Sequence, residues 1–149
     1  MDRLIQFLRS FDTRHYLIAA AVWTAGIITA LTIPAPGLPK VDPSLTLDKV
    51  AHVILFTGLA IFWMRALRPS NSQSERMQWS IPWRRTLAVF GGGVAFAIGS
   101  EFYQMILPFK RTADPYDAVA DIAGLIIGLV AYLVYRKTTA VPAPESIES

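Results

Sequence analysis

In a largely apolar chain, ionisable and amide side chains stand at helical spacing in two stretches. Within residues 99–128, Glu101 and Gln104 are three apart, Asp117 and Asp121 are four apart, and Lys110, Arg111 and Asp114 fall between the pairs. Residues three or four apart share one face of a helix. Earlier in the chain, Asp48, Lys49 and His52 repeat that spacing. Three chemistries suit these side chains. His52 and Glu101 could act as an acid–base pair. Lys49, Lys110 and Arg111 could hold a phosphate or carboxylate, arginine through its planar fork of donors. His52, Glu101, Asp117 and Asp121 carry metal-donor atoms but lack HExxH or comparable ligand spacing, so no metal and no cofactor is expected. Nucleophile elbow, Walker loop and dinucleotide fingerprint are all missing.

Each of these residues also has a structural use. Asp48 and Asp117 open apolar segments, where a carboxylate can satisfy free amides and the helix dipole. Lys49 could reach up to headgroups along its alkyl stem. Arg111 could lock its loop through Asp114 or Asp117, and His52 could simply bond between helices. Glu101 is the hardest to read this way, because an acid deep in hydrocarbon needs a cation, a proton or water.

The elements that would position these groups are membrane spans. The chain has 149 residues, 53% of them hydrophobic, with a mean hydropathy of +0.40, above the apolar content of an average soluble domain. Cysteine is absent, which excludes disulfides, thiolate metal sites and cysteine nucleophiles. Residues 16–33 are uncharged and would extend about 27 Å as a helix, just spanning a bilayer core. This run is long for a signal-peptide core and no A-x-A site follows, so an uncleaved span is expected. Pro34, Pro36, Gly37 and Pro39 end it. Residues 50–64 form a second span interrupted only by His52, residues 87–107 a third and residues 118–135 a fourth. The stretch 68–85 is polar and basic and reads as a loop, with Trp79 and Trp83 suited to the headgroup layer. Gly91 to Gly93 and the Gly124-x-x-x-Gly128 repeat read as sites of close helix packing.

Charge sets the expected orientation. Four spans place Arg3, Arg9, Arg14, Arg65, Arg68, Arg76, Arg84, Arg85, Arg136 and Lys137 on one side, and only Lys40, Lys49, Lys110 and Arg111 on the other. The positive-inside rule then puts both termini in the cytoplasm and the polar cluster outside. The net charge of +3 reports this topology, and nucleic-acid binding is not expected.

The order D-K-x-x-H, then E-x-x-Q, then R-x-x-x-x-x-D-x-x-x-[ND]-x-x-G resembles the VanZ-like family of small bacterial membrane proteins. Here it reads Asp48, Lys49, His52; Glu101, Gln104; Arg111, Asp117, Asp121, Gly124, and then Gly128, within residues 16–136. Many members carry Asn where this chain has Asp121. The namesake is associated with teicoplanin resistance, and the resemblance implies an architecture in the bacterial cytoplasmic membrane and a cell-envelope setting, not that phenotype.

The expected fold is therefore an all-α bundle of four transmembrane helices with both termini cytoplasmic. A basic amphipathic segment (residues 1–15) precedes the membrane domain (16–136), and a disordered polar tail (137–149) follows it. The leading functional expectation is recognition of an anionic lipid or peptidoglycan-precursor headgroup in an outward polar groove. Asp48, Lys49, Gln104, Arg111, Asp117 and Asp121 would contact the ligand, with membrane lipids as neighbours. The alternatives are an enzyme on the same headgroup, using His52 and Glu101, and a small transporter subunit in which Glu101 titrates. A transporter would need a path to the other side, and residues 87–98 offer no ionisable group for one.

Overall fold

The structure is a computed structural model and describes residues 13–32, 47–68, 82–106 and 115–138. These residues form four helices: α1 (Thr13–Thr32), α2 (Leu47–Ala66), α3 (Trp83–Ile106) and α4 (Pro115–Thr138). Each is long and apolar enough to cross a membrane, and among the described residues there are no strands. The apolar residues facing outward support that reading. Leu17, Ile18 and Val22 on α1, Leu87 and Phe102 on α3, and Val119, Ile126 and Val130 on α4 are all exposed. Water would penalise so continuous an apolar surface, whereas hydrocarbon does not.

The helices run past the apolar runs that define them. α3 begins at Trp83, so Trp83, Arg84 and Arg85 belong to its first turn and not to a loop. The amide of Thr86 donates to the carbonyl of Pro82 at 2.9 Å, which closes that turn. α4 begins at Pro115, whose fixed φ suits a first helical position. It continues through Lys137 and Thr138, which the sequence assigned to the tail. Thr13, Arg14 and His15 are likewise helical, in the first turn of α1. The remainder of the N-terminal segment and of the tail lies outside the described residues.

The helices alternate in direction, so α2 and α4 run parallel and make the main contact of the bundle. Two glycines set their separation. A Cβ on Gly124 would lie 2.5 Å from the Val53 carbonyl oxygen, and one on Gly128 would lie 2.5 Å from that of Thr57. Only hydrogen fits there, and the close approach lets Thr57 Oγ1 donate to the Gly124 carbonyl at 3.1 Å. Phe56, Met64 and Leu125 are buried alongside, with Phe56 tilted against Phe96 of α3 at 5.7 Å between ring centroids. Gly93 packs against the Leu125 side chain, but Gly91 and Gly92 are exposed and meet nothing within 4 Å. The expectation of close packing thus holds for one glycine of the three. Successive helical residues turn by about 100°, so three in a row cannot share one contact.

α1 is fastened to α2 by Trp23, whose indole Nε1 donates to the Leu55 carbonyl at 2.9 Å. The ring also lies over Gly58 and against Phe62, at 5.3 Å between centroids. Trp23→Phe keeps an aromatic ring and loses the donor. It is expected to cost about 1 kcal/mol, read as a lower thermal midpoint in detergent micelles.

Arg65 ties the opposite ends of α1, α2 and α4 together. Its guanidinium donates to the Tyr16 hydroxyl at 2.6 Å and lies 4.5 Å from the Tyr16 ring centroid and 5.5 Å from that of Tyr135. One end of the bundle is therefore rich in arginine, and the chain enters α1 and leaves α4 there.

Candidate functional site

The other end gathers the carboxylates. The N-terminal turns of α2 and α4 meet the last turns of α3, and the parallel α2–α4 register pairs the polar residues in sequence. Lys49 Nζ donates to Asp117 Oδ1 at 2.9 Å, and His52 Nδ1 donates to Asp121 Oδ1 at 2.8 Å. One turn further on, Gly124 meets Val53. The close glycine contact and the two polar pairs are successive steps of one interface, since α2 advances from Lys49 to His52 as α4 advances from Asp117 to Asp121.

All of these groups are deep. His52 is 4% exposed, Gln104 2% and Asp121 0%, while Glu101 and Asp117 are also buried. The Lys49 ammonium also stands 5.8 Å from the Tyr116 ring centroid. Asp117 opens α4 as a first-turn acid but does more than cap it, because it holds Lys49. A neutral imidazole that donates from Nδ1 to Asp121 keeps its lone pair on Nε2. An imidazole oriented in this way can take a proton through Nε2 or bind an ion there.

At this end of the bundle, Nε2 of Gln104 and Oδ2 of Asp121 are buried with no hydrogen-bond partner among the described residues. A buried donor or acceptor left unmade costs about 1–3 kcal/mol. Atoms in that state at one end of a helical bundle are where a ligand's polar groups would be accommodated.

Of the residues singled out by spacing, the structure brings Asp48, Lys49, His52, Glu101, Gln104, Asp117 and Asp121 to the same end. Lys110, Arg111 and Asp114 lie outside the described residues. The donor atoms that come together differ from the set that spacing offered for a metal. Asp48, His52 and Asp117 bring one ligand atom each within 4.8 Å of one another, with the Lys49 ammonium already on Asp117 as a competing cation.

Residues that spacing did not single out also shape the site. Ser100 is buried one residue before Glu101 and donates to the Ala97 carbonyl at 2.7 Å. Thr57 locks the α2–α4 register from below. At the outer edge, the Thr32 and Tyr103 hydroxyls bond at 3.1 Å and join α1 to α3. A hydroxyl residue inside an apolar run was the available signal for Ser100 and Thr57.

Comparison with known proteins agrees with this architecture. The family model described as VanZ/LLP1 matches residues 4–136. A relative in Schizosaccharomyces pombe, "Uncharacterized protein C11E3.10", is 30% identical over 125 residues, which cover 83% of this chain and 69% of that one. No solved structure matches the chain. A four-helix membrane bundle whose paired residues Lys49, His52, Asp117 and Asp121 sit within that matched span belongs to the VanZ/LLP1 family.

Proposed function

We propose that the carboxylate-rich end of the bundle recognises the phosphate of an anionic lipid or wall-precursor headgroup. The protein would lie in the bacterial cytoplasmic membrane, with this end outward and both termini inward, as its basic residues favour. Lys49, held in place by Asp117, supplies positive charge, to which Arg111, outside the described residues, would add, while Glu101 and Asp48 complete the surround. The observation that carries the reading is Gln104 Nε2, a buried amide donor with no acceptor among the described residues. A phosphate oxygen is such an acceptor, and it would also answer an ammonium and a guanidinium from the same side. A relative in a fission yeast favours stating the ligand by its chemistry, a phosphate-bearing headgroup, over naming one bacterial precursor.

The test is the lipid that stays with the purified protein, measured by mass spectrometry. Lys49→Met and Gln104→Leu are each expected to lower retention of a phosphate-bearing lipid severalfold. If both variants hold it as the wild type does, the reading fails.

A second reading, an enzyme acting on the same headgroup, draws on the His52–Asp121 contact, which leaves Nε2 oriented as a base. It requires turnover that His52→Gln abolishes while lipid retention persists.

A further inference from the structure

At the arginine-rich end, away from the carboxylates, α3 does not close on the α1–α2 pair, which is joined there by the Trp63 Nε1–Thr24 Oγ1 hydrogen bond at 3.2 Å. A half-open cavity of about 370 Å³ lies between them, lined by Thr24, Trp63, Leu67, Ala88, Gly92 and Phe96. The wall is almost wholly apolar. From Ala88 to Phe96 the α3 wall rises about 12 Å, close to the depth of one leaflet in a hydrocarbon core of about 30 Å.

The mouth of this cavity is basic. Arg84, Ala88, Gly92 and Phe96 recur every four residues, so the cavity wall of α3 continues directly into its arginine turn. Leu67, on the α2 wall, is followed by Arg68. Arg85 lies in the first turn of α3 and Arg136 in the last turn of α4, at this same end of the bundle. All four carboxylates among the described residues lie at the opposite end of the bundle. Guanidiniums drawn from α2, α3 and α4 thus share the end of the bundle at which an apolar slot of leaflet depth opens. Basic pockets between membrane helices are sites for anionic headgroups, and a planar donor fork suits phosphate oxygens.

We propose that this cavity seats an acyl chain of an anionic phospholipid from the arginine-side leaflet, with its phosphate held by Arg68, Arg85 and Arg136. The site is separate from the one proposed above, at the other end of the bundle and in the other leaflet.

Gly92 provides the sharpest test. It lines the cavity, and a Cβ built on it meets nothing within 4 Å, so a larger side chain grows into the cavity itself. Purified protein would be equilibrated with phosphatidylcholine vesicles with or without phosphatidylglycerol, and the retained lipid counted by native mass spectrometry. The wild type is expected to retain phosphatidylglycerol in preference to phosphatidylcholine. Arg85→Gln should weaken that preference about fivefold, the effect of one arginine at an anionic surface. Gly92→Leu should release both lipids while the thermal midpoint stays near that of the wild type. If Gly92→Leu fails to fold, the Arg85→Gln preference decides the matter. Equal retention of the two lipids by the wild type overturns the proposal, as does an unchanged preference in Arg85→Gln. A lipid lost on Lys49→Met but kept on Gly92→Leu belongs to the opposite site and also overturns it.

Discussion

Gly128→Leu is expected to abolish the folded bundle, and Gly128→Ala to lower its stability by about 1–3 kcal/mol. The reason lies in backbone contact. A Cβ at this position would sit 2.5 Å from the Thr57 carbonyl oxygen and 2.8 Å from Ala60 Cβ. Neither is the movable end of a flexible side chain, so the helices themselves must part. Small residues matter in membranes because lipid tails compete equally for apolar side chains, which leaves close packing and polar bonds to hold helices together. Separation would stretch the Thr57–Gly124 hydrogen bond and then the two polar pairs beyond it, since all belong to one α2–α4 register. Loss of stability and loss of headgroup retention should therefore appear together. Gly91→Ala is the control: it is exposed and meets nothing, and alanine favours a helix over glycine by up to about 1 kcal/mol. Thermal unfolding in detergent micelles should rank Gly91→Ala at or above the wild type, and Gly128→Ala well below it. Equal midpoints for the two would show that the α2–α4 contact does not hold the bundle together.

The contrast between Gly91 and Gly128 also shows which parts of the molecule were legible in the sequence. Four apolar runs of bilayer length identify four helices, because hydrocarbon requires every backbone group to be bonded within its own segment. The four-residue spacing of Gly124 and Gly128 identifies a packing face. The partner of that face is a tertiary fact, and so is the result that Gly91 and Gly92 meet no neighbour within 4 Å. The polar end was visible by type and depth, since His52, Glu101, Gln104, Asp117 and Asp121 interrupt apolar runs at corresponding ends. Which acid meets the imidazole was not legible, because periodicity puts Glu101 and Asp121 at similar depth on different helices. Only the parallel register of α2 with α4 selects Asp121. Arg65 read as a topology charge, whereas in the fold it is buried between Tyr16 and Tyr135. The apolar cavity left no mark in the sequence, being a gap between helices and not a property of any one of them.

The His52–Asp121 pair gives the second large effect. Asp121→Ala is expected to cost about 3–5 kcal/mol, the range for removing one partner of a buried polar or ionic pair. Asp121 is 0% exposed and His52 4%, so water cannot readily replace the missing carboxylate. Asp121→Asn should be much milder, because its amide oxygen can still accept from Nδ1 and its volume is nearly unchanged. The double variant His52→Leu/Asp121→Leu separates attraction from desolvation. Apolar replacement of both partners of a buried pair is often neutral or stabilising, so the double variant should be more stable than the sum of the two single losses by about 1–3 kcal/mol. A protein kept purely for stability would gain from that exchange. On that outcome the pair stands at a thermodynamic cost, and the same double variant should show lost headgroup retention in a folded protein. If Asp121→Ala unfolds at the wild-type midpoint, the buried contact is not formed in the membrane and the proposed site loses its most deeply buried support. If the double variant folds and retains lipid unchanged, the pair serves packing alone, and the headgroup would rest on Lys49, Gln104 and Arg111.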